Sequence, residues 1–282
     1  MTLNLVLQGP NATSDVLHRI AALADPTQIV ALGEHAVRCE GVQASDFLKQ
    51  TIDLAASAAG LDATFIAPGR KLSDFGLVAM DMDSTLITIE CIDEIADMQG
   101  LKPQVAEITE AAMRGELEFS ESLIRRVALL EGLDASALER VYEERLAISM
   151  GGEAMLAGVK AAGLKTLLVS GGFTFFTDRL KARLGLDATH ANVLEIVDGK
   201  LTGRVVGGIV DAAEKMRTVE RMCAELGIPT SQAIVMGDGA NDLQMMSVAG
   251  LSLAFRAKPV VRSQADVALN FSGLDGLLTI LA

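Results

Sequence analysis

Residues 75–87 read Phe75-Gly76-Leu77-Val78-Ala79-Met80-Asp81-Met82-Asp83-Ser84-Thr85-Leu86-Ile87. The run from Leu77 to Met80 is apolar without alternation, the pattern of a short strand covered on both faces. It leads into two aspartates two residues apart, a spacing at which strand alternation projects both side chains in the same direction. Asp81 and Asp83 are therefore expected to share one site at the carboxyl end of a buried strand.

Comparable apolar runs follow at residues 164–172 (LKTLLVSGG), 232–239 (QAIVMGDG), 249–255 (AGLSLAF) and 265–270 (ADVALN), each stopped by polar or glycine punctuation. Helical patterns over 173–184 and 215–226 separate several of them, which predicts a parallel sheet wrapped by helices. In such sheets the site lies beyond the carboxyl ends of the strands. Two departures stand out. Residues 90 to about 150 hold only helical patterns and are rich in charge, as in a helical cap. Residues 192–210 carry Asp198-Gly199 between two β-rich runs, a strong hairpin signal.

Upstream, residues 2–8 alternate like a half-buried strand, and Gly9-Pro10-Asn11 ends it. Thr13 and Ser14 offer cap oxygens to a helix with Val16, Ile20 and Leu23 at helical spacing. Strands at 28–32 and 37–42, a helix over 45–58 and a closing strand within 61–67 complete the segment. Residues 1–70 are thus expected to form a small α+β module ending at Pro68-Gly69-Arg70-Lys71, with no chemical motif of its own. Residues 74–282 are expected to form the larger α/β domain.

The composition narrows the function. A net charge of −13, no Trp and a single Tyr leave neither the basic surface nor the stacking platform that a nucleic-acid partner needs. Cys39, Cys91 and Cys223 are odd in number and scattered, which fits free thiols in a reducing cytoplasm. His18, His35 and His190 show no zinc spacing. No stretch has the length and apolarity of a membrane span, and residues 1–15 lack the features of a signal peptide.

Two neighbouring carboxylates raise each other's pKa, so such a pair persists where a cation binds or one member holds a proton. Both conditions suit phosphoryl transfer: one carboxylate attacks phosphorus while the other protonates the leaving alkoxide. A lone Asp-x-Asp is also a common strand end or cap, so the surroundings decide. Ser170-Gly171-Gly172 brings a hydroxyl and backbone N–H groups to the same edge, an anion cradle. Gly237-Asp238-Gly239-Ala240-Asn241-Asp242 ends another apolar strand in acids. Magnesium prefers oxygen ligands, so Asp81, Asp238 and a backbone carbonyl suit it, with Asp242 anchoring the shell. A lysine is needed to balance this charge; Lys215 stands at the start of a helix, with Lys200 and Lys181 as rivals.

The set DMDST, SGG, an isolated Lys and GDGAND, in that order, resembles the haloacid-dehalogenase superfamily over about residues 74–282. The stretches DMDSTLI, ECIDEIA, AMRGELEFSESLIRRVALL and SGGFTFF resemble the branch whose members hydrolyse free phosphoserine, the closing step of serine biosynthesis. The resemblance implies a magnesium-dependent phosphatase with a Rossmann-like parallel sheet and a helical cap at about 90–150. It implies Asp81 as nucleophile and Asp83 as general acid/base. Ser170, Gly171 and Asn241 would meet the phosphate and Lys215 its charge. Asp81, the main-chain carbonyl of Asp83, and Asp238 would hold the metal, supported by Asp242. In the cap, Glu90 would receive the substrate ammonium, Arg126 clamp its carboxylate, and Met113 and Phe119 form the apolar lid. An acid and a planar bidentate base are what phosphoserine demands beyond its phosphate, and Arg125 competes for that second role. Residues 1–70 resemble the small ACT-type regulatory domains and would serve regulation, dimerisation or packing. The rival expectations are another small phosphomonoester as substrate, phosphate transfer to an alcohol such as homoserine, and a silent amino-acid sensor.

Overall fold

The computed structural model describes residues 1–113 and 116–282, with only the backbone of Met113. The first unit runs β1 (Thr2–Gln8), α1 (Ser14–Ala21), β2 (Gln28–Ala31), β3 (Ala36–Gln43), α2 (Asp46–Ala58) and β4 (Asp62–Ile66). Its antiparallel sheet has the order β2-β3-β1-β4. This is the split βαβ arrangement, in which β1 pairs with both β3 and β4. Thr13 and Ser45 cap the two helices with their side-chain oxygens. The buried stripe of α1 is Leu17, Ile20 and Ala21, continued by Ala24, and Leu23 is exposed. The expected Val16-Ile20-Leu23 stripe is therefore rotated: a tight turn at Ala22–Ala24 ends the helix and turns Leu23 outward.

The second sheet contains β5 (Leu77–Met80), β6 (Lys165–Phe173), β7 (Ala188–Val197), β8 (Lys200–Val206), β9 (Ala233–Gly237), β10 (Leu251–Phe255) and β11 (Val267–Leu269). Their order is β11-β10-β9-β5-β6-β7-β8. All neighbours are parallel except the β7–β8 hairpin, whose turn residues Asp198 and Gly199 both have positive φ. Alternation along β5 sends Val78 and Met80 into one apolar layer and Leu77 and Ala79 into another. Leu77, Val78 and Met80 each contribute about 1.5–3 kcal/mol on burial, so the uninterrupted apolar runs are what hold this sheet between its helices. The chain winds from β5 through β6 to β7, then returns to β9 on the other side. That reversal opens the crevice at the carboxyl end of β5.

Between β5 and β6 lie α3 (Cys91–Asp97), α4 (Lys102–Met113), α5 (Phe119–Ala128) and α6 (Ser136–Glu144), and α7 (Gly152–Ala161) leads back to the sheet. α8 (Thr174–Leu184), α9 (Ala212–Leu226), α10 (Leu243–Ser247), α11 (Pro259–Arg262) and α12 (Gly276–Ile280) complete the order. No described helix is long and apolar enough to cross a membrane. The two sheets are joined through Asp62 at the start of β4. Its buried carboxylate accepts N–H groups from Asn270 at 2.7 Å, Phe271 at 3.2 Å and Ser272 at 2.8 Å, beyond the end of β11. Gln8 Nε2 adds a bond to the Gly276 carbonyl at 3.1 Å.

Candidate active site

β5 is regular to Met80, and the extended Asp81 still donates its N–H to the Met236 carbonyl of β9 at 3.0 Å, so the chain turns away only after Asp81. Residues 82–86 form a tight turn in which Asp83 is extended and Ser84 is left-handed, with φ of 55°. Asp81, at the strand end, and Asp83, within the turn, line one cavity. Asp81 Oδ1 accepts the Met82 N–H at 2.7 Å, and its Oδ2 meets Lys215 Nζ at 2.9 Å. Lys215 is wholly buried at the fourth position of α9 and also bonds Asp242 Oδ1 at 2.8 Å. Lys200 and Lys181 occupy β8 and α8 instead. Asp242 is fully buried, and its second oxygen accepts the N–H groups of Asp238 and Gly239 at 3.2 and 3.1 Å. That carboxylate thus closes the Gly237–Asp242 loop on itself. A Cβ on Gly237 would sit 2.4 Å from its Cγ, so the loop requires glycine there.

Oxygens of Asp81, Asp238 and Asp242 all lie within 4.8 Å of one another. Burial, and then the charge of Asp242, hold the Asp81 carboxyl well above the usual carboxylate range. The same two causes push Asp238 up to about 7. Burial disfavours the Lys215 ammonium, but the carboxylates of Asp242 and Asp81 outweigh it and raise its pKa. One ammonium among three carboxylates leaves a surplus of negative charge in a set of oxygen donors, which is the electrostatic demand that a hard divalent cation meets. Asp83 brings a further oxygen to the site: its Oδ1 is buried and has no hydrogen-bond partner among the described residues. Burial, and then the Glu90 charge, push Asp83 up to about 8.

The cavity measures about 690 Å³ and is lined from two sides. The sheet side presents Asp81, Asp83, Ser170, Gly171, Gly172, Asp238 and Asn241. Ser170 and the glycines still belong to β6, which runs on to Phe173, so the cradle is an irregular strand end and α8 starts only at Thr174. The cap side presents Glu90, Phe119 and Arg126. Glu90 precedes α3 and accepts the Ser84 hydroxyl at 2.6 Å. Arg126 is half-buried on α5, whereas Arg125 is exposed and paired with Glu121 at 2.5 Å. Phe119 reaches across to the cradle: a Cβ on Gly171 would meet its ring at 2.9 Å. The side chain of Met113 lies outside the described residues.

Four residues of this region escaped the sequence reading. Thr85 donates to Asp238 Oδ1 at 3.1 Å, tying the first acidic turn to the second; its place beside the Asp-x-Asp pair was the available signal. Asp93 and Lys258 line the cavity, and the Lys258 N–H bonds the Asp238 carbonyl at 3.2 Å. Asn192 on β7 bonds the Gly171 carbonyl at 2.8 Å. A solitary Asn within a strand carries no local sign of such a contact.

Comparison with known proteins agrees with this geometry. The family model of haloacid dehalogenase-like hydrolases matches residues 78–247. A phosphoserine phosphatase of Polaromonas sp. (strain JS666) is 56% identical over 227 residues, covering 79% of this chain and 96% of the relative. A haloacid-dehalogenase family hydrolase from Salmonella enterica serovar Typhi superposes with a TM-score of 0.89 at 33% identity, covering 100% of this chain and 99% of the other. A structure described as a phospho-aspartyl intermediate analogue of phosphoserine phosphatase superposes with a TM-score of 0.69 at 38% identity, over 74% of this chain and 99% of the other. The family model spans more than half of the chain and the Polaromonas relative matches over nearly its whole length, so the chain belongs to the phosphoserine phosphatase family of haloacid dehalogenase-like hydrolases.

Proposed function

We propose that this chain hydrolyses O-phosphoserine to serine and inorganic phosphate through a phosphoaspartate on Asp81, with magnesium as its metal. One observation carries the reading: a single cavity unites two acidic groups and an anion cradle on the sheet side with an acid and an arginine on the cap side. Phosphate, ammonium and carboxylate each find a complementary group there.

In the first step an Asp81 oxygen attacks phosphorus, the bond from phosphorus to the serine oxygen breaks, and Asp83 gives its proton to that oxygen. Burial and the Glu90 charge raise the Asp83 pKa, which favours the protonated form that this role requires. In the second step water attacks phosphorus, Asp83 takes the water's proton, and the bond to Asp81 breaks. Ser170, Gly171 and Asn241 hold the phosphoryl oxygens, and Lys215 favours the ionised form of Asp81 and orients its carboxylate. Asp81, Asp238 and the Asp83 carbonyl would hold magnesium, which when bound neutralises charge on the phosphoryl group. Asp242, already bonded to Lys215 and two backbone N–H groups, acts as the support. Glu90 takes the substrate ammonium and Arg126 its carboxylate, with Phe119 and Met113 as the apolar lid. The cavity-lining position of Arg126, against the outward ion pair of Arg125, favours it for the clamp.

Residues 74–282, with the cap at 90–150, form the catalytic unit in this reading. Residues 1–70 form an ACT-like regulatory or dimerisation unit, supported by the βαββαβ order. Three unpaired, buried thiols favour the cytoplasm as its compartment.

The test is a panel of small phosphomonoesters, both phosphoserine enantiomers included, assayed with magnesium. Preference for phosphoserine is expected, and Asp81→Asn should lower turnover by about 10⁴-fold or more. Near-parental turnover by that variant, in a preparation checked for deamidation, would overturn the nucleophile. Equal rates across the panel would overturn the substrate, and phosphate captured by added homoserine would point to transfer.

A further inference from the structure

The β6–β7 ladder is interrupted at the cradle. β6 advances from Val169 to Phe173 while β7 advances only from His190 to Asn192. Ser170, Gly171 and Gly172 therefore bulge out of the sheet without ladder partners on that side. The Asn192 side chain, 1% exposed, fills the gap. Its Nδ2 donates to the Gly171 carbonyl at 2.8 Å, and its Oδ1 accepts the Val210 N–H at 2.8 Å. The Gly171 carbonyl and the Gly172 N–H belong to one planar trans peptide and point in opposite directions. On the far side, that Gly172 N–H donates to Ser170 Oγ at 2.8 Å. One rigid peptide is thus gripped from both ends, by an amide behind and by the cradle hydroxyl in front.

This grip has a chemical consequence. Ser170 Oγ already accepts a hydrogen bond, so its own proton is left to donate. The other end of the Asn192 amide reaches Val210, the residue before Asp211, which caps the helix carrying Lys215. A side chain with a donor at one end and an acceptor at the other is needed to bridge these two segments, and a carboxamide supplies both.

We propose that Asn192 is a positioning residue for the phosphate cradle, clamping the Gly171–Gly172 peptide so that the Ser170 hydroxyl is presented to the substrate phosphate. The inference rests on the reading of Ser170 and Gly171 as that cradle. Asn192→Asp keeps an acceptor for Val210 and sets an oxygen against the Gly171 carbonyl. It is expected to raise KM for phosphoserine and weaken inhibition by inorganic phosphate together, each by about 10- to 100-fold. A merely structural role would instead lower the active fraction, reducing kcat with KM and phosphate inhibition unchanged, and that result would overturn the proposal. If Asn192→Asp does not fold, Asn192→Ser carries the same expectation at smaller size, and unchanged KM and phosphate inhibition in it would overturn the proposal equally. Ser170→Ala separates the two layers: should it leave KM and phosphate inhibition untouched, the cradle reading itself fails. Loss in Ser170→Ala without loss in the Asn192 variants overturns only the clamp.

Discussion

The sheet wall and the cap wall of the cavity are both charged, but they hold their charges differently. On the sheet wall, Lys215 and Asp242 are fully buried and Asp81 nearly so, each locked by partners within 3.2 Å. On the cap wall, Glu90 keeps contact with solvent and Arg126 is half-buried, and their hydrogen bonds run to Ser84 and the Ser122 carbonyl. A buried ion cluster is costly to assemble and costlier to break, whereas solvated charges on helices are cheap to change. The wall proposed for chemistry is therefore also part of the fold, and the wall proposed for recognition is largely separable from it.

Lys215→Met should break this contrast most visibly. It strands two buried carboxylates, so a loss of about 3–5 kcal/mol is expected, read as a lower urea midpoint, together with loss of phosphatase activity. An unchanged midpoint would show that the sheet wall carries chemistry alone. Arg126→Ala sharpens the other side. The expected result is KM for phosphoserine raised by about 10- to 100-fold with a stability change below about 1 kcal/mol. Phosphoethanolamine, which lacks the carboxylate, should be affected far less; equal loss on both esters would count against the clamp. Arg125→Ala is the smallest case. Its pair with Glu121 is exposed on both sides, so stability should change by no more than about 0.5 kcal/mol and KM should stay put. A raised KM there would exchange the roles of the two arginines.

The adjacency of Asp81 and Asp83 was legible in the sequence, though strand geometry extends only as far as Asp81. Alternation predicted a shared direction, but the chain turns away from the sheet after Asp81 and a left-handed Ser84 lies in that turn. The glycines of residues 237–239 advertised a turn, yet nothing local shows that the loop closes around Asp242. Lys215 had two rivals until burial beside two carboxylates set it apart. Periodicity found Ile20 on the buried stripe of α1 but misplaced Leu23, because it shows that a helix is amphipathic before it shows where the helix ends and which edge the sheet will cover.

By itself the sequence determined the parallel sheet, the inserted helical segment, the hairpin at Asp198-Gly199 and the acids at strand ends, because these follow from local pattern and turn chemistry. Only the tertiary structure decided that Lys215 reaches Asp81 from 134 positions away, that Arg126 rather than Arg125 lines the cavity, and that Asn192 holds the Gly171 peptide. Hydrogen bonds and ion pairs depend on distance in space, and a strand order that reverses at β5 joins residues that the linear chain keeps far apart.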